Sequence, residues 1–256
     1  MKITFLGTGT SQGIPVIGSK HPVCLSKNYK DKRLRSSILI EKNQKFFLID
    51  CGPDFRYQMI RNNYEKLDAI FITHEHQDHI GGLDDIRPIN NMNQLTIPIY
   101  GLHRAIENLK KRFFHLFSKN KKPNTSKISV HELDNYNKFF FVENSKIIPL
   151  FIWHGDLPIL GFRIENFAYI TDASSIPIQT IEKLKGINIL VLNILRKVVK
   201  NSFPFLLSET LNVIQKIRPK KTYLTHISHT FGFHEKIETQ LPKNVHLAYD
   251  QLIIHE

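Results

Sequence analysis

The sequence predicts an α/β fold in which sheets are flanked by helices, with a polar site at one sheet rim. Three observations lead there. Apolar runs of strand length alternate with runs of helical period, and residues 139–170 read as consecutive antiparallel strands. Several strands also end on a threonine followed by a histidine or an aspartate. The mixture argues against an all-β barrel.

Taken in order, runs rich in β-branched and aromatic residues predict strands over 2–6, 37–40, 45–49, 68–72, 97–100 and 147–152. Further strands are expected over 160–164, 167–170, 189–193, 221–224 and 246–248. Helices are expected after Pro53 and over 104–117, 177–185 and 208–217. No internal repeat, low-complexity linker or composition break divides the chain, so 1–256 reads as one domain.

Hydrophobic residues at 41% are ample for a core, and 23% charged residues are ordinary for a soluble protein. The apolar run at residues 3–6 is too short for a signal peptide, and no later run is long enough to span a membrane. Two cysteines, Cys24 and Cys51, give no disulfide framework, so a reducing cytoplasm is the expected setting.

The formal charge of +12 could serve RNA or an anionic substrate. Charge concentrates over 104–127, which holds eight basic residues and one acid. There Ile106, Leu109, Phe113 and Phe117 share a helical face, so the lysines read as the solvated side of an amphipathic helix.

The densest signal is "THEHQDHIGG", residues 73–82. "AIFITH" ends on His74, "FAYITD" on Asp172 and "KTYLTH" on His226; "KFFLID" ends on Asp50 and "IIPLFIWH" on His154. Polar groups at the carboxyl ends of buried strands mark a sheet-rim site. The H-x-H-x-D-H spacing sends alternate residues to one side and the last histidine to the other, so one loop can serve two metal ions. Imidazole and carboxylate donors suit Zn2+, and also Mn2+ or Fe. Gly81 and Gly82 permit a tight turn or close packing after the loop, and the neighbouring threonines can hydrogen-bond the ligands.

"HEHQDH" resembles the metallo-β-lactamase superfamily, with the likeness running from "FLGTG" to "LTHISH". "GTGTSQGIPVIG", "KDKRLRSS", "IDCGPDFRYQ", "WHGDLPILGFRI", "YITDAS" and "LTHISHTF" are similar to its phosphoribosyl 1,2-cyclic phosphate phosphodiesterase subgroup. The resemblance implies a four-layer αββα sandwich of two mixed sheets with outer helices. It assigns His74, His76 and His154 to one metal, Asp78, His79 and His226 to the other, and Asp172 to both. Asp50 falls behind the histidine loop as a support rather than a ligand. Two divalent ions about 3.5–4 Å apart can share a bridging hydroxide and hold both oxygens of an in-line displacement at phosphorus. The implied substrate is a small phosphodiester, with a cyclic ribose phosphate as one candidate. A homodimer is in keeping with the resemblance.

Other features carry less. "GTGTSQG" has the wrong glycine spacing for a dinucleotide loop and reads as an active-site loop or a plain turn. Arg33, Arg35 and Arg196 are candidates to meet substrate phosphate. His103, His115, His131, His234, His246 and His255 have no ligand-like setting, and Cys51 reads as a small buried residue.

Two departures from the subgroup stand out. Relatives carry three cysteines after the first loop that join a histidine in a structural zinc site; here "GSKHPVC" leaves His21, Cys24 and His229, a site that is three-coordinate or lost. Relatives also carry a histidine after "LNILR", and "KVVKNSFPFLL" at 197–207 has none, so any proton for the leaving group needs another donor. Two alternatives accompany the small-ester reading. One is a tRNA 3′-end endonuclease of the same superfamily, favoured by the charge but not by Gln77, where those enzymes read H-G-D-H. The other is a metal-binding protein whose catalysis has decayed.

Overall fold

The computed structural model describes residues 1–118, 125–134, 138–194 and 203–256, the side chains of 203–206 excepted. Among them fourteen strands form two seven-stranded sheets. The first sheet contains β1 (Lys2–Gly7), β2 (Ser37–Lys42), β3 (Lys45–Ile49), β4 (Ala69–Phe71), β5 (Ile97–Leu102) and β6 (Ile128–Leu133). The second contains β7 (Phe140–Val142), β8 (Ser145–His154), β9 (Leu157–Ile164), β10 (Phe167–Ile170), β11 (Ile189–Asn193), β12 (Lys221–Thr225) and β13 (Val245–Leu247). The chain then returns to the first sheet as β14 (Ile253–His255), giving the orders β14-β1-β2-β3-β4-β5-β6 and β13-β12-β11-β10-β9-β8-β7.

Both sheets are mixed. β14 to β3 pair antiparallel and β3 to β6 parallel; β7 to β10 pair antiparallel and β10 to β13 parallel. The helices are α1 (Pro22–Leu25), α2 (Phe55–Arg61), α3 (Gln77–Ile80), α4 (Arg87–Asn93), α5 (His103–Arg112), α6 (Phe114–Phe117), α7 (Ile178–Leu184), α8 (Phe203–Ile217) and α9 (His234–Glu238).

Side-chain alternation creates the layers. Phe47 and Ile49 of β3 face the second sheet, where they join Phe162, Phe167 and Val191 in one core. Leu48 between them points outward, to a cluster with Phe55 and Met59 of α2 and Ile106 and Leu109 of α5. In β11, Leu190 and Leu192 likewise face outward onto Ile181 and Leu184 of α7 and Ile214 and Ile217 of α8. A sheet apolar on both faces needs cover on both. The result is the four-layer αββα sandwich that the sequence implied.

Several elements escaped the sequence reading, among them short helices such as α1 and α9 and the three that follow. β6 is an edge strand of half-exposed side chains, ordered along the rim of β5. β14 is three residues with one buried, and α4 buries only two of its seven. Each has too few apolar positions to show a period. The helix expected over 104–117 breaks at Phe113 into α5 and α6. Ile106, Leu109 and Phe113 of that stretch are buried while Lys111 and Arg112 stay exposed, as amphipathic spacing requires. Residues 119–124 lie outside the described part of the chain.

Candidate metal centre

Parallel pairing places the ends of β3 and β4 side by side, and sets those of β10 and β12 at the same rim on either side of β11. Asp50 and the 74–79 loop therefore leave the first sheet at one rim, while Asp172 and His226 leave the second. Asp50, Asp172 and His226 adopt φ of +64°, +54° and +56°, the left-handed region. Such residues are uncommon outside glycine and cost roughly 1 kcal/mol or more each. Three of them at one rim turn the chain sharply as it leaves each strand. Periodicity carries no trace of this.

The seven residues meet as the spacing suggested. Donor atoms of His74, His76 and His154 lie within 4.8 Å of one another, as do those of His74, His79 and Asp172, and those of Asp78, His79 and His226. His79 Nε2 stands 2.9 Å from Asp172 Oδ2 and 3.1 Å from Asp78 Oδ2. His226 Nε2 stands 3.2 Å from Asp172 Oδ1. His74 Nε2 and His76 Nδ1 are 2.9 Å apart. Donors about 2.0–2.1 Å from a tetrahedral ion are themselves about 3.3 Å apart, so this crowding suits a shared cation.

Orphaned atoms and charge test the same fit. The Nε2 atoms of His79 and His226 are buried against carboxylates yet make no well-directed hydrogen bond, which a native interior seldom tolerates. Burial holds His74 well below the ordinary imidazole range, with further lowering from the His79 ring, so it stands neutral with a lone pair to offer. Burial lowers His154 too. For His79 burial opposes the proton, but the flanking Asp50 and Asp172 outweigh it and raise the group well above its usual range. Asp78 and Asp172 are driven far down against their own burial, chiefly by His226 together with His79. The carboxylates around His79 thus favour a positive charge at this point, which a divalent cation would supply. The residues fit a metal.

Asp50 plays the supporting role expected of it. Its carboxylate accepts from the Thr73 amide (2.8 Å) and the Thr73 hydroxyl (2.9 Å), and His79 Nδ1 donates to it at 2.7 Å. With the Thr73 proton directed at Asp50, the 3.0 Å contact between Thr73 Oγ1 and His74 Nδ1 has the ring N–H donating. That tautomer leaves His74 Nε2 facing the centre. Glycines close the loop: a Cβ on Gly52 would lie 2.1 Å from the Asp78 carbonyl, and one on Gly82 would lie 2.1 Å from the Gly52 carbonyl.

The expectation for Arg33 needs correction, and Arg35 is engaged in an ion pair. Arg33 is 3% exposed, and its guanidinium donates to Thr8 Oγ1 (2.7 Å) and the Ala248 carbonyl (2.6 Å) and faces His234 Nδ1 (3.2 Å). Burial pushes it down to about 10. Arg35 pairs with Asp54 at 3.1 Å and donates to the Ser11 carbonyl at 3.0 Å. Both brace the 7–13 loop, whose Thr8 and Thr10 exchange backbone hydrogen bonds with Ile227 beside His226. The loop thus abuts the site, and a buried arginine consumed by the scaffold is not free for phosphate. Arg196 lies outside the described residues.

His21, Cys24 and His229 do not form one of the close donor groups among the described residues. The His21 and His229 rings approach to 5.1 Å, but His21 Nδ1 accepts from the Val23 amide at the start of α1. Cys24 Sγ accepts from Val16 and packs with Ile14 and Val23. One nitrogen of His21 and the Cys24 sulfur thus serve a local cap and a backbone contact, and the three side chains are not gathered as the seven are. His103 was passed over in the sequence, yet it joins Glu107 and Glu132 on the surface, where Lys110 already supplies the cation. Cys51 is fully buried, as expected.

Comparison with known proteins agrees with this geometry. The model of a beta-lactamase superfamily domain matches residues 45–227. The chain belongs to the beta-lactamase superfamily. A solved structure described as a new diphosphatase from the PhnP family is 35% identical, with a TM-score of 0.89 over 100% of this chain and 97% of that one. This agrees with the subgroup resemblance. The octanoyltransferase of Porphyromonas gingivalis is 36% identical over 98% of this chain and 51% of that protein. The ribonuclease Z of Methanococcus aeolicus is 33% identical over 57% of this chain and 40% of that protein. The superfamily chain thus spans about half the length or less of these curated relatives. Members of the superfamily are metal-dependent hydrolases, and these His/Asp clusters are of the kind such chemistry uses. Among the described residues no helix is long and apolar enough to cross a membrane.

Proposed function

We propose that the protein is a dinuclear metal-dependent phosphodiesterase acting on a small phosphate ester. The observation that carries this reading is the convergence of seven donors into overlapping groups that share His74 and His79, with two buried imidazole nitrogens crowded against carboxylates without a well-directed hydrogen bond. His74, His76 and His154 would hold one ion, Asp78, His79 and His226 the other, and Asp172 would contact both. Divalent ions there, most simply zinc with manganese or iron as alternatives, would supply activated water at neutral pH and positive charge for the phosphoryl oxygens.

The chain's own work is orientation. Asp50 and Thr73 fix the tautomers and ring planes of His79 and His74. The 7–13 loop, braced from behind by Arg33 and Arg35, forms a wall next to His226. No serine or cysteine nucleophile is required. The diphosphatase supports this reading because the likeness spans both chains almost end to end.

The ribonuclease Z likeness favours a second reading, cleavage at tRNA 3′ ends, though over a shorter share of both chains. The test is purified, metal-replete protein assayed against a panel of small cyclic and linear phosphodiesters and a precursor tRNA. Turnover of a small ester supports the first reading; rapid cutting of the tRNA trailer with no small-ester turnover supports the second. A cytoplasmic setting and a homodimer belong to the same proposal.

A further inference from the structure

The residue between the first two histidines is Glu75, whose side chain is largely shielded, with 14% of it exposed. Its carboxylate meets Arg104, the second residue of α5, with Arg104 Nε 2.6 Å from Oε1 and Nη2 donating to Oε2 at 3.1 Å. The same Nη2 donates to the Pro158 carbonyl at 2.8 Å. Pro158 pairs with Trp153 across the β8–β9 hairpin, and His154 is the residue after Trp153. One guanidinium therefore grips the arm that carries His74 and His76 and also the hairpin that carries His154. These arms belong to opposite sheets.

A backbone bond from Leu160 to the Thr73 carbonyl (3.0 Å) ties the sheets at the foot of the same arm. Without a second tie, the loop tip beyond Thr73 could move against the hairpin. We propose that Arg104 is a positioning residue: it sets the gap between the two arms of the His74, His76 and His154 trio, and so sets the affinity of that one metal position. The inference rests on the reading that the trio holds an ion. Asp78, His79 and His226 are reached by neither hydrogen bond, so their position should be indifferent to Arg104. A guanidinium matters here because Nη2 donates to the Glu75 carboxylate and the Pro158 carbonyl together while Nε lies against the same carboxylate, a placement that an ammonium reproduces less well.

The experiment is titration of the metal-stripped full chain with cobalt(II), following visible absorption and stoichiometry. Variants are Arg104→Ala, Arg104→Lys, Glu75→Gln and, as a surface control from the same helix, Lys110→Ala. Wild type should take two cobalt ions. Arg104→Ala should weaken one position roughly ten- to hundredfold, in line with losing a partner that orients ligands, and leave the other within about twofold. Arg104→Lys should fall between, Glu75→Gln should follow Arg104→Ala in direction, and Lys110→Ala should match wild type. General destabilisation would lower both positions together, so a one-position effect separates positioning from folding. If Arg104→Ala and Glu75→Gln both bind two ions as wild type does, or lose both equally, the positioning role is overturned while the metal site stands. A wild-type chain that binds no cobalt overturns the site itself, and this inference with it.

Discussion

His79 Nδ1 stands 2.7 Å from Asp50 Oδ2, and neither side chain reaches solvent. Asp50 sits at a left-handed φ, which asparagine tolerates far better than alanine. Asp50→Asn therefore removes the charge behind His79 while keeping the turn. We expect metal affinity to drop roughly ten- to hundredfold, since a ligating histidine loses the partner that orients it. Competition with a chelator of known affinity measures this directly, and an unchanged affinity would remove Asp50 from the site.

Metal content is the simplest check on the seven-residue centre. Protein loaded under metal-replete conditions should carry close to two zinc, manganese or iron atoms per chain by elemental analysis. Wild-type protein that stays metal-free refutes the assignment.

Asp172 touches both His79 and His226. Its φ of +54° again makes asparagine the cleaner substitution than alanine. Asp172→Asn should abolish small-phosphodiester turnover and disturb both metal positions, with the circular dichroism spectrum retained. Turnover equal to wild type, in preparations shown free of contaminating hydrolase, would falsify its role.

Gly52 tests the packing under the loop. A methyl there would lie 2.1 Å from the Asp78 carbonyl, a backbone atom that cannot swing aside. Gly52→Ala should destabilise the fold by more than the roughly 1 kcal/mol of a typical substitution and lower metal content. Denaturant unfolding reads the first effect and elemental analysis the second. A variant that melts and loads like wild type contradicts the packing.

His234 should make the scaffold acid-sensitive. Burial, and then the neighbouring Arg33 guanidinium, lower it from 6.5 to about 4. The folded chain then binds fewer protons than the unfolded chain between those values. Its contribution to stability is complete above pH 6.5 and is lost as pH falls toward 4. Urea midpoints measured across this window should fall more steeply for wild type than for His234→Asn. Parallel profiles for the two proteins would show that His234 is not the group responsible.

The basic charge offers a last discriminator. Lys110 is engaged with Glu107 and Glu132 rather than free. Neutralising lysines between 110 and 127 should leave small-ester turnover unchanged. If precursor tRNA were the substrate, its binding would fall with those changes and drop steeply with added salt through counterion release. The comparison of both substrates at matched salt decides between them.

The site residues stood out in the sequence because Asp50, His74, His154, Asp172 and His226 each end an apolar run, visible as a change from apolar to polar, while His76, Asp78 and His79 follow His74 within one H-x-H-x-D-H loop. Sheets flanked by helices were legible from the residues and the four layers from the family resemblance; the structure shows the physical basis, since Phe47, Leu48 and Ile49 alternate between two apolar faces. What only the tertiary structure decided was the fate of groups whose partners lie far along the chain. Arg33 was legible only as a cation until Thr8, Ala248 and His234 enclosed it. Glu75 was an unremarked loop acid until Arg104 of α5 met it and tied it to Pro158 of the second sheet. The short edge strands β6 and β14 took their order from neighbours rather than from their own pattern. Local sequence sets which face is apolar and where a strand stops; which charge is neutralised, and by what, depends on contacts that form only when both sheets have closed.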